Sequence, residues 1–186
     1  MRIISGSAGG RRLTAPRGET TRPTADRVRE AVFNILASNG EVPERVLDLY
    51  AGSGALGLES LSRGALRAVF VDDAAAAVEA IRKNAAALGF QSTVEVVATR
   101  VKEWLKRPSN GRFGWIFLDP PYAGSELDRA LGLLAAGDYL AKGGVVVAEH
   151  EWRGAPAADH GSLALSDRRR YGQTAVSFYR HSEMTP

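Results

Sequence analysis

Between residues 45 and 149, five short apolar runs alternate with four helical stretches, and no other property of the chain narrows its fold as much. Arg45-Val-Leu-Asp-Leu-Tyr50, Ala68-Val-Phe-Val-Asp72, Val94-Glu-Val-Val-Ala98, Trp115-Ile-Phe-Leu-Asp119 and Gly144-Val-Val-Val-Ala-Glu149 read as strands. Helices are expected from the turn at 51–57 to near Gly64, over 74–88 with Gly89 as the stop, over 101–106 and over 126–136. Strands this continuously apolar are buried on both faces, and helical crossovers make their neighbours parallel. The end of the chain breaks the rhythm. Residues 163–166 and 174–179 flank Tyr171-Gly172 with no helix between them, which predicts an antiparallel hairpin closing the sheet. Ahead of the first strand, Val28, Val32, Ile35 and Leu36 form one apolar face of a helix over 24–37. Thr24 can cap that helix, Asp26 suits its positive end, and Pro23 keeps Arg22 extended.

Charge is distributed unevenly. Residues 1–29 hold seven arginines (Arg2, Arg11, Arg12, Arg17, Arg22, Arg27 and Arg29) against Glu19 and Asp26, a local +5 in a chain of net charge +3. A guanidinium forks onto phosphate and stacks on bases, whereas an ammonium is a point charge. With Gly6, Gly9, Gly10 and Gly18 interspersed, residues 1–22 read as a basic extension ahead of a body at 23–186. Arg2, Arg11, Arg12, Arg22 and Arg27 are its candidate nucleic-acid contacts. The competing readings are a solvated basic terminus and, for Arg27 and Arg29, ion pairs with Glu30 or other acids. The run Arg168-Arg-Arg-Tyr171 reads as a hairpin tip, with a nucleic-acid contact as the competing reading.

Composition adds exclusions. With 186 residues, 45% hydrophobic and 24% charged, the chain can bury one core. No run approaches the ~20 apolar residues of a bilayer span. Met1-Arg-Ile-Ile-Ser-Gly6 has no signal-peptide core, so a cytoplasmic protein is expected. Cysteine is absent, which excludes disulfides, zinc–cysteine sites and thiol catalysis. His150, His160 and His181 are too scattered to suggest a metal centre.

Gly52-Ser-Gly54-Ala-Leu-Gly57 places G-x-G-x-x-G between a strand and a helix, where backbone N–H groups can approach a ligand. Asp72 ends the next strand, the position that takes a ribose diol. Dinucleotides and S-adenosylmethionine share this geometry. Asp48, four residues before Gly52, argues for the second. Beside a pyrophosphate a carboxylate is repelled by about 4 kcal/mol at ~4 Å and an effective dielectric of ~20; beside a sulfonium and an ammonium the same term is attractive. Asp48 as a cap or loop brace is the competing reading.

Asp119-Pro-Pro-Tyr122 follows the fourth strand directly. The prolines end the strand and stiffen the chain. The Asp119 carboxylate and the Pro120 carbonyl can accept the two hydrogens of an exocyclic amine, and Tyr122 offers a stacking face. A base amine is a weak nucleophile because its lone pair is delocalised into the ring; two acceptors draw it toward a pyramidal amine and offset the charge developed on methylation. A paired base must be flipped out to reach such a site.

The chain resembles the RsmD family, the 16S rRNA guanine-N2 methyltransferases, over nearly its whole length. The resemblance is carried by Arg22-Pro-Thr-Ala-Asp-Arg-Val-Arg-Glu30 with Phe33-Asn34, by Asp48-Leu-Tyr-Ala-Gly-Ser-Gly-Ala-Leu-Gly-Leu-Glu-Ser-Leu-Ser62 and by Asp119-Pro-Pro-Tyr122, with Arg2-Ile-Ile-Ser-Gly6 and Gly10-Arg-Arg-Leu13 in support. It implies a Rossmann-like methyltransferase fold with a mostly parallel seven-stranded sheet and a small basic extension that grips RNA. It implies S-adenosylmethionine as cofactor and, as substrate, 16S rRNA in an assembled or nearly assembled small subunit; a monomer suits so large a partner. The implied cofactor set is Asp48, Ala51, Gly52, Ser53, Gly54, Asp72 and Asp119, and the implied catalytic set is Asp119, Pro120 and Tyr122, with no metal. Two positions depart from the family. Asp72 stands where Glu is frequent, with Asp73 beside it. Arg100 stands where Asp or Asn is frequent near the adenine amine, and Arg cannot accept that bond.

Three other readings compete. A DNA adenine-N6 methyltransferase would use the same tetrapeptide, but the chain is short for a target-recognition domain. An NAD-dependent dehydrogenase needs room for a nicotinamide half. An RNA-binding module with a decayed cofactor site is at odds with three intact motifs.

Overall fold

The computed structural model describes residues 1–16, 23–38, 40–109, 111–121 and 125–182, with 23–25 as backbone only. Arg22 and Tyr122, both singled out from the sequence, lie outside the described residues. Helix α1 (Pro23–Ser38) leads into an alternating series: β1 (Arg45–Leu49), α2 (Ala55–Ser62), β2 (Arg67–Asp72), α3 (Ala75–Leu88), β3 (Val94–Ala98), α4 (Val101–Trp104), β4 (Phe113–Leu118), α5 (Glu126–Ala136) and β5 (Leu140–Glu151). A 3-10 turn (Trp152–Gly154), the two-residue β6 (Asp159–His160), β7 (Leu163–Tyr171) and β8 (Thr174–His181) complete it.

The strands form one eight-stranded sheet in the order β3-β2-β1-β4-β5-β8-β7-β6. Strands β1 to β5 are mutually parallel where they pair. Strand β8 runs antiparallel to both β5 and β7. The Rossmann-like methyltransferase fold expected from the sequence is thus present, with β6 as an added edge strand.

Each face of the sheet has its own core. On one, Phe33 of α1 packs between Trp115 and Phe117 of β4, with ring centroids 5.9 and 5.8 Å away, beside Leu58 of α2 and Ile81 of α3. On the other, Val101 and Leu105 join Leu127, Leu131 and Leu134 of α5 over Leu47, Leu49, Ile116 and Leu118.

Two strands exceed their expected lengths. Strand β5 starts at Leu140, because a register shift between Phe113 and Trp115 lets it pass over Gly143-Gly144 and still pair. Strand β7 continues through Ser166-Asp-Arg-Arg-Arg170 across a shift between Leu165 and Asp167. Its other neighbour is only two residues long, so polar side chains there stay in water and no apolar run marks the strand.

Residues 1–16 lie against the body. Ile3, Ala8 and Leu13 are buried in the α1–α3 core. Gly6 sits so close to the end of α2 that a Cβ would fall 1.8 Å from the Ser62 carbonyl oxygen.

Candidate active site

In open α/β sheets, ligands bind outside the carboxyl ends of strands where the strand order reverses. Here that point is β1, between β2 and β4. Leu49 is level with Val71 and with Leu118, and Leu118 is level with Ala148. The next residues, Asp72, Tyr50, Asp119 and Glu149, therefore form a row along one rim, about 15 Å long at ordinary strand spacing.

The turn after β1 is tightly built. Tyr50, a non-glycine residue, has φ 59°, and Gly52 and Gly54 have φ 53° and 78°. A side chain at Gly57 would put its Cβ 2.3 Å from the Phe70 ring, so only glycine lets α2 lie this close to β2. Two acids hold the turn. Asp72 accepts from Gly52 N through Oδ2 and from Ala74 N through Oδ1, both at 2.9 Å. Asp48, 1% exposed, accepts from Gly57 N at 2.8 Å through Oδ2. Burial pushes its carboxyl up to about 8, against the pull of the Gly57 bond and with help from the Asp72 charge.

This changes the electrostatic argument made from sequence. A largely neutral Asp48 neither repels pyrophosphate nor attracts a sulfonium at pH 7. Asp48 lies under the turn as a brace, and the acids beside the turn at the rim are Asp72 and its neighbour Asp73. The donor set nonetheless fits an adenosyl group: each Asp72 oxygen holds one backbone N–H and has a second lone pair for a ribose hydroxyl.

Asp119 is exposed immediately beyond β4, one residue past the strand's end, and Pro120 is buried behind it. Arg100 is exposed and reaches Asp73 at 3.6 Å, so its guanidinium answers a carboxylate. On the α4–α5 side, a cleft of about 360 Å³ opens between Tyr50, Lys102, Ser125, Glu126 and Arg129. Burial raises the Tyr50 phenol above its ordinary range, with Glu126 and Asp73 adding to it. The larger cleft, about 410 Å³, is at the opposite end of the sheet around Arg45, Gly114, Gly144 and Arg180, away from this row.

The basic candidates divide. Arg2 and Arg12 face each other across an antiparallel bridge, and both are exposed. Arg11 is exposed but donates to the Ala87 carbonyl at the end of α3. Arg27 is exposed on α1, whereas Arg29 is buried, pairing with Asp26 at 3.0 Å and donating to the Arg2 carbonyl at 2.6 Å. The ion-pair reading therefore holds for Arg29.

Sequence reasoning did not assign roles to Glu59, Ser62 and Asn84, which tie residues 1–16 to α2 and to the glycine turn. Glu59, fully buried, accepts from Ile4 N and Ser5 N at 2.7 and 3.1 Å and pairs with Arg63. Ser62 Oγ accepts from Ala8 N and donates to the Ser5 carbonyl. Asn84 accepts from Thr14 N, and its Nδ2 donates to the carbonyls of Thr14 and Ser53 at 2.9 Å each. Ser53 itself donates to Met1 Sδ at 3.3 Å. The available signal was a lone acid in an otherwise uncharged helix (α2) and a lone amide on the Ala77-Ile81-Ala85-Leu88 face of α3.

A glycine turn with an acid on the second strand, a nucleoside-sized rim and an Asp-Pro-Pro step at the switch point define a Rossmann-like methyltransferase of the class that uses S-adenosylmethionine. Known proteins agree. Residues 1–180 match the family model described as conserved hypothetical protein 95. YlbH of Bacillus subtilis, provisionally named an rRNA methyltransferase, is 37% identical over 182 residues, covering 97% of this chain and 98% of that one. Ribosomal RNA small subunit methyltransferase D of Escherichia coli is 34% identical over 180 residues, covering 97% and 89%. Among solved structures, yhhF of Escherichia coli, provisionally named a methyltransferase, superposes with TM-score 0.85 at 32% identity, covering 98% of each chain. The chain belongs to the RsmD family of methyltransferases.

Proposed function

We propose that this protein methylates the N2 amine of a guanine in small-subunit (16S) rRNA. The observation that carries the reading is the rim row: an exposed acid beyond β4 stands one strand from the glycine turn and two from Asp72. Methylation of rRNA is supported by the names of the relatives matched over nearly the whole chain. The choice of guanine N2 rests on the family resemblance.

S-adenosylmethionine, when bound, supplies an electrophilic methyl group. Gly52, Ser53, Gly54 and Ala51 would line its site, and Asp72 would accept from its ribose. Asp48 would act from below by fixing Gly57. Asp119 would accept one hydrogen of the guanine amine and the Pro120 carbonyl the other, offsetting positive charge as the nitrogen is alkylated. Tyr122 would stack on the flipped base and hold it in line. Residues 1–22 would serve as the RNA-gripping extension, with exposed Arg2, Arg11 and Arg12 on phosphates; Arg22 and Arg27 would carry the contact toward α1.

The test uses small subunits from cells lacking the protein, incubated with protein and S-adenosylmethionine and digested to nucleosides for mass spectrometry. N2-methylguanine is the expected product. N6-methyladenine, or no new methylated nucleoside, overturns the reading.

A further inference from the structure

Only two large hydrophobic side chains are exposed among the described residues: Leu66 at 59% and Trp152 at 39%. Leu66 precedes β2 and lies at the amino end of the sheet, away from the chemistry. Trp152 directly follows β5, at the carboxyl end. Its height above the rim follows from register. Ala148 is level with Leu118 of β4, and β5 runs on three residues further to Glu151, which pairs with Thr174. The β7–β8 turn and Trp152 thus stand about 10 Å above the end of β4 and one to three strands to its side. They form a wall beside Asp119.

That wall is cross-linked by hydrogen bonds and carries four arginines, Arg153 and Arg168 to Arg170. Trp152 N donates to the Gln173 carbonyl at 2.8 Å, joining the 3-10 turn to the hairpin turn. Arg170 donates to the Gly172 carbonyl at 2.8 Å, and its guanidinium lies 5.0 Å from the Trp152 ring centroid. Arg168 donates to the Pro156 carbonyl, and Asp128 of α5 accepts from Ala157 N. The segment is therefore fastened to the helix into which the Asp119 loop leads. Arg153 and Arg169 are exposed beside it; Asp167 neutralises part of Arg169 at 2.8 Å, and Glu149, Glu151 and Asp128 are the other nearby acids.

We infer that Trp152, with Arg153 and Arg170, is a second RNA-binding surface, on which a single-stranded nucleotide flanking the target guanine stacks while the arginines hold its phosphates. The inference rests on the rRNA reading above and adds to it a contact on the side of the site away from residues 1–16. An exposed indole braced by an arginine presents the aromatic face that unpaired bases select, and stacking tolerates any base. A flipped target leaves unstacked neighbours that need such a surface.

Trp115 is buried and Trp104 is half-buried against Tyr139, so the part of an emission change on binding that Trp152→Phe removes reports Trp152. Titrating the full chain with protein-free 16S rRNA should quench that emission. Trp152→Ala should weaken binding roughly ten- to a hundredfold, with S-adenosylmethionine affinity unchanged, and Trp152→Phe should restore most of it. Arg153→Gln and Arg170→Gln should each lower the salt slope by about one. Equal rRNA affinity for wild type and Trp152→Ala overturns the inference, as does emission that rRNA leaves unquenched. With whole small subunits, a photoreactive p-benzoylphenylalanine at position 152 should crosslink to RNA; a crosslink to a ribosomal protein overturns it. Methyl transfer by the wild type separates the two readings. If transfer to guanine is intact and Trp152→Ala is indistinguishable from wild type, this inference alone falls; if the wild type transfers no methyl group to rRNA, the broader reading falls first.

Discussion

The two halves of the rim at the carboxyl ends of the strands are built in opposite ways. On the β1–β2 half two acids are engaged by the chain's own backbone, Asp48 with Gly57 and Asp72 with Gly52 and Ala74, while Asp73 faces Arg100. Residues 1–16 are fastened over it through Glu59 and Asn84. On the β4–β5–β8 half, Asp119, Trp152, Arg153 and Arg170 face solvent. A small cofactor of fixed shape is best met by a turn ordered beforehand, since ordering on binding costs affinity. A large and varied RNA surface is best met by exposed groups on a stiff frame. The contrast teaches that one rim can carry both a closed turn and an open face, because adjacent strands deliver different loop chemistry to the same edge.

The largest expected effect separates the halves by function. Asp119→Ala should lower methyl transfer at least ~10²–10³-fold, with S-adenosylmethionine still bound in calorimetry and melting temperature unchanged. Retained activity would show that the open half does not hold the amine.

Next is the clip beneath residues 1–16. Removing one partner of a buried, hydrogen-bonded ion pair costs about 3–5 kcal/mol, so Glu59→Ala should lower denaturant stability on that scale. It should also speed proteolysis within residues 1–16. If only the body's stability falls and the segment stays protected, the clip does not hold it.

Gly57→Ala probes how finished the closed half is. Forcing a methyl against Phe70 should cost about 1–3 kcal/mol and weaken cofactor binding, while RNA affinity is kept. Equal loss of both ligands would remove the distinction between the halves.

A pH series tests Asp48. Its folded-state carboxyl lies near 8 against an ordinary 3.8, so the folded chain holds the proton more tightly than the unfolded chain does. That contribution is complete below the unfolded value and is lost as pH rises through the folded one. Ligand-free protein should melt at a higher temperature at pH 6 than at pH 9, and Asp48→Asn should flatten the difference. An unchanged pH slope in the variant would assign it to other groups.

The smallest effect concerns the extension. Arg11→Ala with Arg12→Ala should lower the salt slope of RNA binding by about one per lost phosphate contact. A slope equal to that of wild type would leave Arg11 with its role at the Ala87 carbonyl alone.

Much of this architecture can be read along the chain. Five apolar runs with helical spacers determine a parallel sheet, because apolar periodicity and glycine turns act over a few residues. The same reading located the glycine turn, Asp72 at the end of β2 and Asp119 at the end of β4, since each is a short segment at a predicted boundary. The start of β7 at 163–166 was legible, but its polar continuation to Tyr171 escaped, because a strand with a nearly open edge needs no apolar code. Only the folded chain decided the protonation of Asp48, the seating of residues 1–16 and the position of Trp152. Each depends on partners far apart in sequence: Glu59 lies 55 residues from Ile4, Asn84 lies 70 from Thr14, and Trp152 comes to the same end of the sheet as Asp119, one strand over, through the pairing of β4 with β5. Desolvation and distant contacts are properties of the assembled sheet, and no local window of sequence contains them.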